Sequence, residues 1–355
     1  MSRRRKPPCF FVIESHRYRL SCLDAPRHKF GSARKIEAPM GFKDMIARGR
    51  NLVAFVRVAG SLGGACWLLL AFAGFPSAAL AAAGRVTIVS DGVPRTAILV
   101  QHRRLKQARR PAVIILRGGR ERGARLRRIF GFEDMARSSG AVLIYPEPLA
   151  GRWGDAPGPE ARRDSVFVHD LIAKFVARGI ADRGKVFLVG IAAGGTMALR
   201  LACDEKNAFA GMAVLGASLP SDLEASCKPS HPIPLMMIAV TADPVVPIPG
   251  GKASLPHGKT ELLSLDATLG LFGKAAGCAG GMTTTIFPDK DLHDGTRAYL
   301  DKLNNCKVPV EAVRIEGGGH PQSGLSSEGG PGHGLARGDV NSAKLVWDFF
   351  RPLGG

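Results

Sequence analysis

From residue 84 onward, short unbroken apolar runs alternate with amphipathic stretches, and this alternation restricts the fold most. Ala112–Leu116 (AVIIL), Ala141–Tyr145 (AVLIY), Lys185–Gly190 (KVFLVG), Met212–Leu215 and Pro234–Val240 have no polar face. A strand with two apolar faces must be covered on both sides, as in a parallel sheet flanked by helices. The intervening segments supply those helices: 125–139, 164–177, 196–203, 262–274 and 342–350 carry apolar residues at helical spacing. Arg85–Ser90 and Thr96–Gln101 read as an opening β-hairpin turned at Asp91-Gly92, and 308–315 as a last strand. The expected fold class is α/β, with a mostly parallel central sheet and helices on both faces.

Charge sorts the chain into parts. The formal net charge is +19, but residues 1–83 hold 14 Lys/Arg against 4 Asp/Glu, and 103–128 hold 11 against 1. The rest is balanced, with 24 against 25. A nucleic-acid binder of this pI would spread a basic surface over its body, so nucleic acid is excluded as the expected partner. The basic run itself reads as a solvated surface. Alternatively, Arg117, Arg120 and Arg122 face a site and favour an anionic ligand.

Residues 58–84 contain no charge, and their apolar centre ACWLLLAFAGF is followed by small residues, with A-x-A patterns at Ala79–Ala81 and Ala81–Ala83. A basic region, a short apolar core and an A-x-A site describe a secretory signal. The core is short for a membrane span, and Gly60, Gly63, Gly64 and Pro76 weaken it as a helix. The expectation is a leader over 1–83 that is removed, with Met40 and Met45 as alternative starts, and one exported domain over 84–355. The protein is then secreted or periplasmic, without a stable membrane span. Four cysteines follow the leader: Cys203, Cys227, Cys278 and Cys306. An even number in an exported chain suggests two disulfides, with three connectivities open. Local pairing would close two loops of similar size. No C-x-x-C spacing exists among them, so no metal site is expected.

In a parallel sheet the chemistry sits at the carboxyl ends of the strands. After Lys185–Gly190 comes Ile191-Ala192-Ala193-Gly194-Gly195, a strand–turn–helix of G-x-A-x-G form. It has the glycine spacing of a nucleophile elbow with alanine where serine belongs; alone, it is equally a tight turn without chemistry. After Pro234–Val240 comes Asp243, an acid at a strand end or a turn residue before Pro244. After the last strand, three glycines precede His320. The order elbow, Asp, His is that of an α/β-hydrolase.

On these residues the chain resembles the polyhydroxybutyrate depolymerases and feruloyl esterases, a group of secreted α/β-hydrolases. The segments are VFLVGIAAGGTMA (186–198), ADPVVPIPGG (242–251), IEGGGHP (315–321) and VLIYPEPLAGRWGD (142–155), with the cysteines placed accordingly. The resemblance implies an α/β-hydrolase fold over roughly 112–350, a small or polymeric carboxylic ester as substrate, and no cofactor. It assigns Asp243 and His320 as acid and base and Ala192 as the position of the missing nucleophile. Ala193 and Gly118 become the oxyanion-hole donors, and Arg117 and Trp153 substrate contacts. Arg117 stands where the family has His. A methyl group cannot attack a carbonyl, so the expectation is an impaired esterase, or an inactive relative that binds an ester-like or anionic ligand. Thr196 and Ser165 are the hydroxyls nearest in sequence that could substitute. The Gly-, Ser- and Pro-rich stretch 321–338 reads as a lid or a long loop.

Overall fold

The computed structural model describes residues 9–14, 17–22, 54–58 and 66–70 of a first unit, Met1–Pro76. Of a second unit, Ser77–Gly355, it describes 82–101, 109–118, 131–154, 158–204, 209–255, 258–290, 292–293, 295–317 and 340–355. The first unit holds two antiparallel hairpins, β1 (Cys9–Glu14) with β2 (Arg17–Cys22) and β3 (Ala54–Val58) with β4 (Cys66–Leu70). Among the described residues no helix is long and apolar enough to cross a membrane.

The second unit is built on a ten-stranded sheet. Its strands are β5 (Ala82–Ser90), β6 (Val93–Gln101), β7 (Arg110–Leu116), β8 (Val142–Pro146), β9 (Ala181–Ile191), β10 (Gly211–Leu215) and β11 (Leu235–Val240). After a separate hairpin, β12 (Gly251–Leu255) with β13 (Gly258–Leu262), come β14 (Met282–Ile286), β15 (Arg297–Leu303) and β16 (Val310–Glu316). Across the sheet the order is β14-β15-β16-β11-β10-β9-β7-β8-β6-β5. The centre, from β8 to β16, is parallel, and both flanks are antiparallel.

Alternation explains how unbroken apolar runs are used. In β7, Ile114 and Leu116 point into one core and Val113 and Ile115 into the other. The first core is closed by α2 (Pro159–Ala177), α3 (Ala193–Cys203) and α4 (Leu265–Ala275) through residues such as Phe167, Leu171, Met197 and Phe272. The second is closed by α1 (Phe132–Ser139) and α5 (Ser342–Phe350), with the Phe350 ring stacked on Phe187 at 4.5 Å. Helices therefore cover both faces, as expected. Local signals set their ends. Asn341 Oδ1 accepts from the Lys344 N–H, Ser264 Oγ accepts from the Ala267 N–H, and Gly140 closes α1 at φ 79°.

Several expectations are corrected. Of the helix expected over 125–139, positions 125–130 lie outside the described residues and α1 begins at Phe132; α2 begins at Pro159, whose ring suits a first turn. β14, β15 and the β12–β13 hairpin were not anticipated. The basic run is not wholly a solvated surface: Arg110 and Arg117 are buried. Arg110 Nη2 donates to Gln101 Oε1 at 2.7 Å, and burial lowers the pKa of its guanidinium. Arg120 and Arg122 lie outside the described residues. Of the three connectivities, the structure has the local one, Cys203–Cys227 and Cys278–Cys306.

Candidate active site

Because β7, β9, β10, β11 and β16 run in parallel, the residues that follow them gather at one end of the sheet. Ala192 lies between β9 and α3 with φ 49° and ψ −121°. A side chain on a residue with such a φ is strained, at about 1–3 kcal/mol. Three contacts impose the turn. The Ala192 N–H donates to the Leu215 carbonyl at 2.9 Å, and the Ala192 carbonyl accepts from Gly195 and Thr196 N–H at 2.7 and 3.1 Å.

The flanking glycines are required by contact. A Cβ on Gly190 would lie 2.5 Å from Gly195 Cα, and one on Gly194 would lie 2.2 Å from the Leu116 carbonyl oxygen. Both obstacles are backbone, which cannot swing away. Gly194→Ala is expected to destabilise the fold by about 1–3 kcal/mol through overpacking. The denaturant midpoint measures this, and an unchanged midpoint would refute the contact.

The same contact shows where the loop after β7 runs. Leu116 stands beside Gly190 in the β7–β9 ladder, so Arg117 and Gly118 leave the sheet next to the elbow. Arg117 is 5% exposed, and its Nε and Nη2 lie 3.2 and 3.1 Å from Glu147 Oε2. Its charge is paired, so the expected anion contact has to compete with Glu147. Trp153 is buried and donates its indole N–H to the Arg117 carbonyl at 2.8 Å. Its contact shown here is thus with the loop backbone. The next residue, Gly154, donates its N–H to Asp164 Oδ2, while Asp164 Oδ1 pairs with Arg95 Nη2 at 2.6 Å. This buried pair was not visible in the sequence, where Arg95 and Asp164 carry no motif. It ties the Trp153 segment, and through it the Arg117 loop, to β6 and α2.

Asp243 follows β11 and is 6% exposed. Its Oδ1 accepts from the Val245 and Val246 N–H groups at 2.8 and 2.9 Å. β11 and β16 are paired as far as Val240 and Ile315. Beyond that pair, the Thr241 N–H donates to the Ile315 carbonyl and the Gly317 N–H donates to Thr241 Oγ1 at 3.1 Å. The segment leading to His320 therefore starts against the Asp243 loop. His320 follows Gly317 by three positions, a reach of at most about 10 Å. His320, Asp155 and the stretch 321–338 lie outside the described residues.

Of the two hydroxyls that could substitute, one is buried beside the elbow and the other lies on α2. Thr196 is 1% exposed within α3. Ser165, on α2, donates to Asp204 Oδ2 and lines a cleft of about 460 Å³ with Arg162, His169 and Arg200. Neither Ala192 nor Asp243 lines that cleft. No group of metal-ligating side chains occurs among the described residues.

No family model matches the chain. It is 32% identical over 229 residues to a curated protein described as "Putative esterase NocK" from Nocardia uniformis subsp. tsuyamanensis. The match spans 61% of this chain and 66% of that protein, so the chain spans just under two thirds of its relative's length. Among solved structures, an acetyl xylan esterase from Aspergillus awamori superposes with a TM-score of 0.54 at 11% identity, covering 76% of this chain and 99% of that one. The fold is the α/β-hydrolase fold.

Proposed function

We propose that the chain is an exported protein of esterase type whose site binds a carboxylic ester, while the absence of a hydroxyl at Ala192 suppresses turnover. The observation that carries this reading is the backbone of Ala192, at φ 49° and ψ −121°. A serine elbow uses this strained turn to raise its Oγ above the sheet. The turn persists here around a methyl group, together with the glycines that permit it.

The roles follow from placement. Asp243 would orient His320, and His320 would act as base. The Ala193 and Gly118 N–H groups would hold the carbonyl oxygen of the ester, since backbone donors survive a side-chain change. With no Oγ, the only acceptor of the base's help is water. The name of the Nocardia relative supports ester chemistry. The resemblance to depolymerases and feruloyl esterases supports short aliphatic, polymeric or aromatic esters. The Arg117–Glu147 pair favours a neutral ester over a free anion. Two disulfides support export into an oxidising compartment.

The test compares the full chain with its His320→Ala variant on p-nitrophenyl butyrate, with calorimetric titration of the same ester. The expected result is saturable binding and no hydrolysis above buffer from either protein. Hydrolysis by the native chain that vanishes in His320→Ala would overturn the suppressed-turnover reading. An absence of binding would overturn the ester site.

A further inference from the structure

The two edges of the large sheet are treated differently. At one edge, β5 carries the exposed Arg85, and α2 reaches over it: Lys174 Nζ donates to the Thr87 carbonyl at 3.4 Å, and Ser90 Oγ donates to Asp170 at 2.7 Å. Charges and a covering helix are the usual guards of a strand edge. Among the described residues the other edge, β14, has none of them. Its sequence is Met-Thr-Thr-Thr-Ile, without charge, proline or glycine, and all five residues are exposed. Among the described residues β14 pairs only with β15. Met282 is 47% and Ile286 61% exposed, and Leu292, 75% exposed, follows in the loop to β15.

The inner ladder fixes which backbone groups point outward. The Asn304 N–H donates to the Gly281 carbonyl, and the Phe287 N–H donates to the Ala298 carbonyl. In an antiparallel ladder such groups alternate along the strand. Thr283 and Thr285 therefore turn their N–H and C=O groups toward β15, and Met282, Thr284 and Ile286 turn theirs to the open edge.

We propose that β14 is the interface by which two copies of this chain associate, edge to edge and antiparallel, about a two-fold axis at Thr284. The strand is close to a palindrome, and this selects a second copy as its occupant. With the axis at Thr284, Met282 faces Ile286 of the other copy, Thr284 faces Thr284, and Thr283 faces Thr285. Every outward N–H and C=O of Met282, Thr284 and Ile286 then finds a partner, and the apolar side chains meet each other at about 5.5 Å between Cα atoms. Such an isologous contact closes and does not propagate. Thr and Ile also favour the extended backbone that pairing needs. A five-residue edge is small beside the interfaces of permanent dimers, so the association is weak, with a dissociation constant on the order of 10 µM.

The test is sedimentation of the full chain from ~1 to ~300 µM, beside two variants at exposed positions. M282K/I286K places like charges opposite each other across the axis and is expected to weaken association at least tenfold. M282K/I286E places opposite charges there and is expected to return association to within a few-fold of the native chain. A native chain that stays monomeric throughout overturns the proposal and leaves the edge to a strand of some other protein. Dimers that persist in M282K/I286K place the contact elsewhere and also overturn it. Failure of M282K/I286E to recover overturns the antiparallel register. Both variants alter the same exposed pair, so a loss confined to the first is electrostatic and not a failure to fold.

Discussion

Ala192→Ser is expected to create an esterase. The change adds one oxygen to a Cβ that already sits on the elbow at φ 49° and ψ −121°. The strain of that backbone is borne by the alanine chain, so the substitution adds almost none, and the denaturant midpoint should move little. What the oxygen supplies is the missing nucleophile. Loss of the serine alone can lower kcat by about 10⁶ in a serine hydrolase, and that figure sets the ceiling of the gain. The expected gain lies below that ceiling, because Arg117 stands in the proposed oxyanion loop where the family it resembles has His. A rise of about 10³ or more in the rate of p-nitrophenyl butyrate hydrolysis is the expected result. It should disappear when His320→Ala is added. If Ala192→Ser stays at background while its fold and midpoint are unchanged, the oxyanion loop is not competent. The proposal of an emptied but intact esterase site then fails.

Much of this was readable in the sequence, and the reasons are specific. AVIIL, AVLIY and KVFLVG announce strands covered on both faces because no water-facing alternation interrupts them. Their helices follow from the stripes on 164–177 and 342–350, the second of which the structure reproduces as α5, Ser342–Phe350. The elbow was legible because glycines at 190, 194 and 195 have few uses other than close approach, and the structure shows backbone within 2.2–2.6 Å of the Cβ positions of Gly190 and Gly194.

What was missed lacks a local signal. β14 is wholly exposed, so it has no apolar period, and β15 mixes Arg, Asp and Lys with its apolar residues. β15 is made a strand by pairing with β16, and β14 by pairing with β15. In β15, Asp301 is buried because it meets Arg314 of β16 and the Thr284 hydroxyl of β14. Burial alone would raise its pKa, but these partners outweigh it and hold the carboxyl below its usual range. The buried Arg95–Asp164 pair and the Arg117–Glu147 pair join residues far apart in sequence. Charge in a one-dimensional reading looks like surface, and only tertiary pairing shows that Arg117 is internal.

Asp243→Asn, introduced into the Ala192→Ser chain, is expected to remove nearly all of the activity gained, since a triad aspartate changed to an amide lowers kcat by up to about 10⁴. The substitution keeps the acceptor role that the structure shows for Asp243. Asp243 Oδ1 serves as the acceptor for the Val245 and Val246 N–H groups, and an amide oxygen accepts those two bonds as well. The loop and its Thr241–Gly317 tie to the His320 segment should therefore persist, and the denaturant midpoint should hold. What changes is the second carboxylate oxygen, replaced by an NH₂ that can only donate. An imidazole held by a donor takes the wrong tautomer, and no negative charge remains to stabilise the imidazolium. The loss should fall on kcat, with KM nearly unchanged, because the aspartate does not touch the ester. Equal activity in Ala192→Ser with and without Asp243→Asn, at equal stability, would show that Asp243 is a turn residue before Pro244. The acid would then have to come from another strand end.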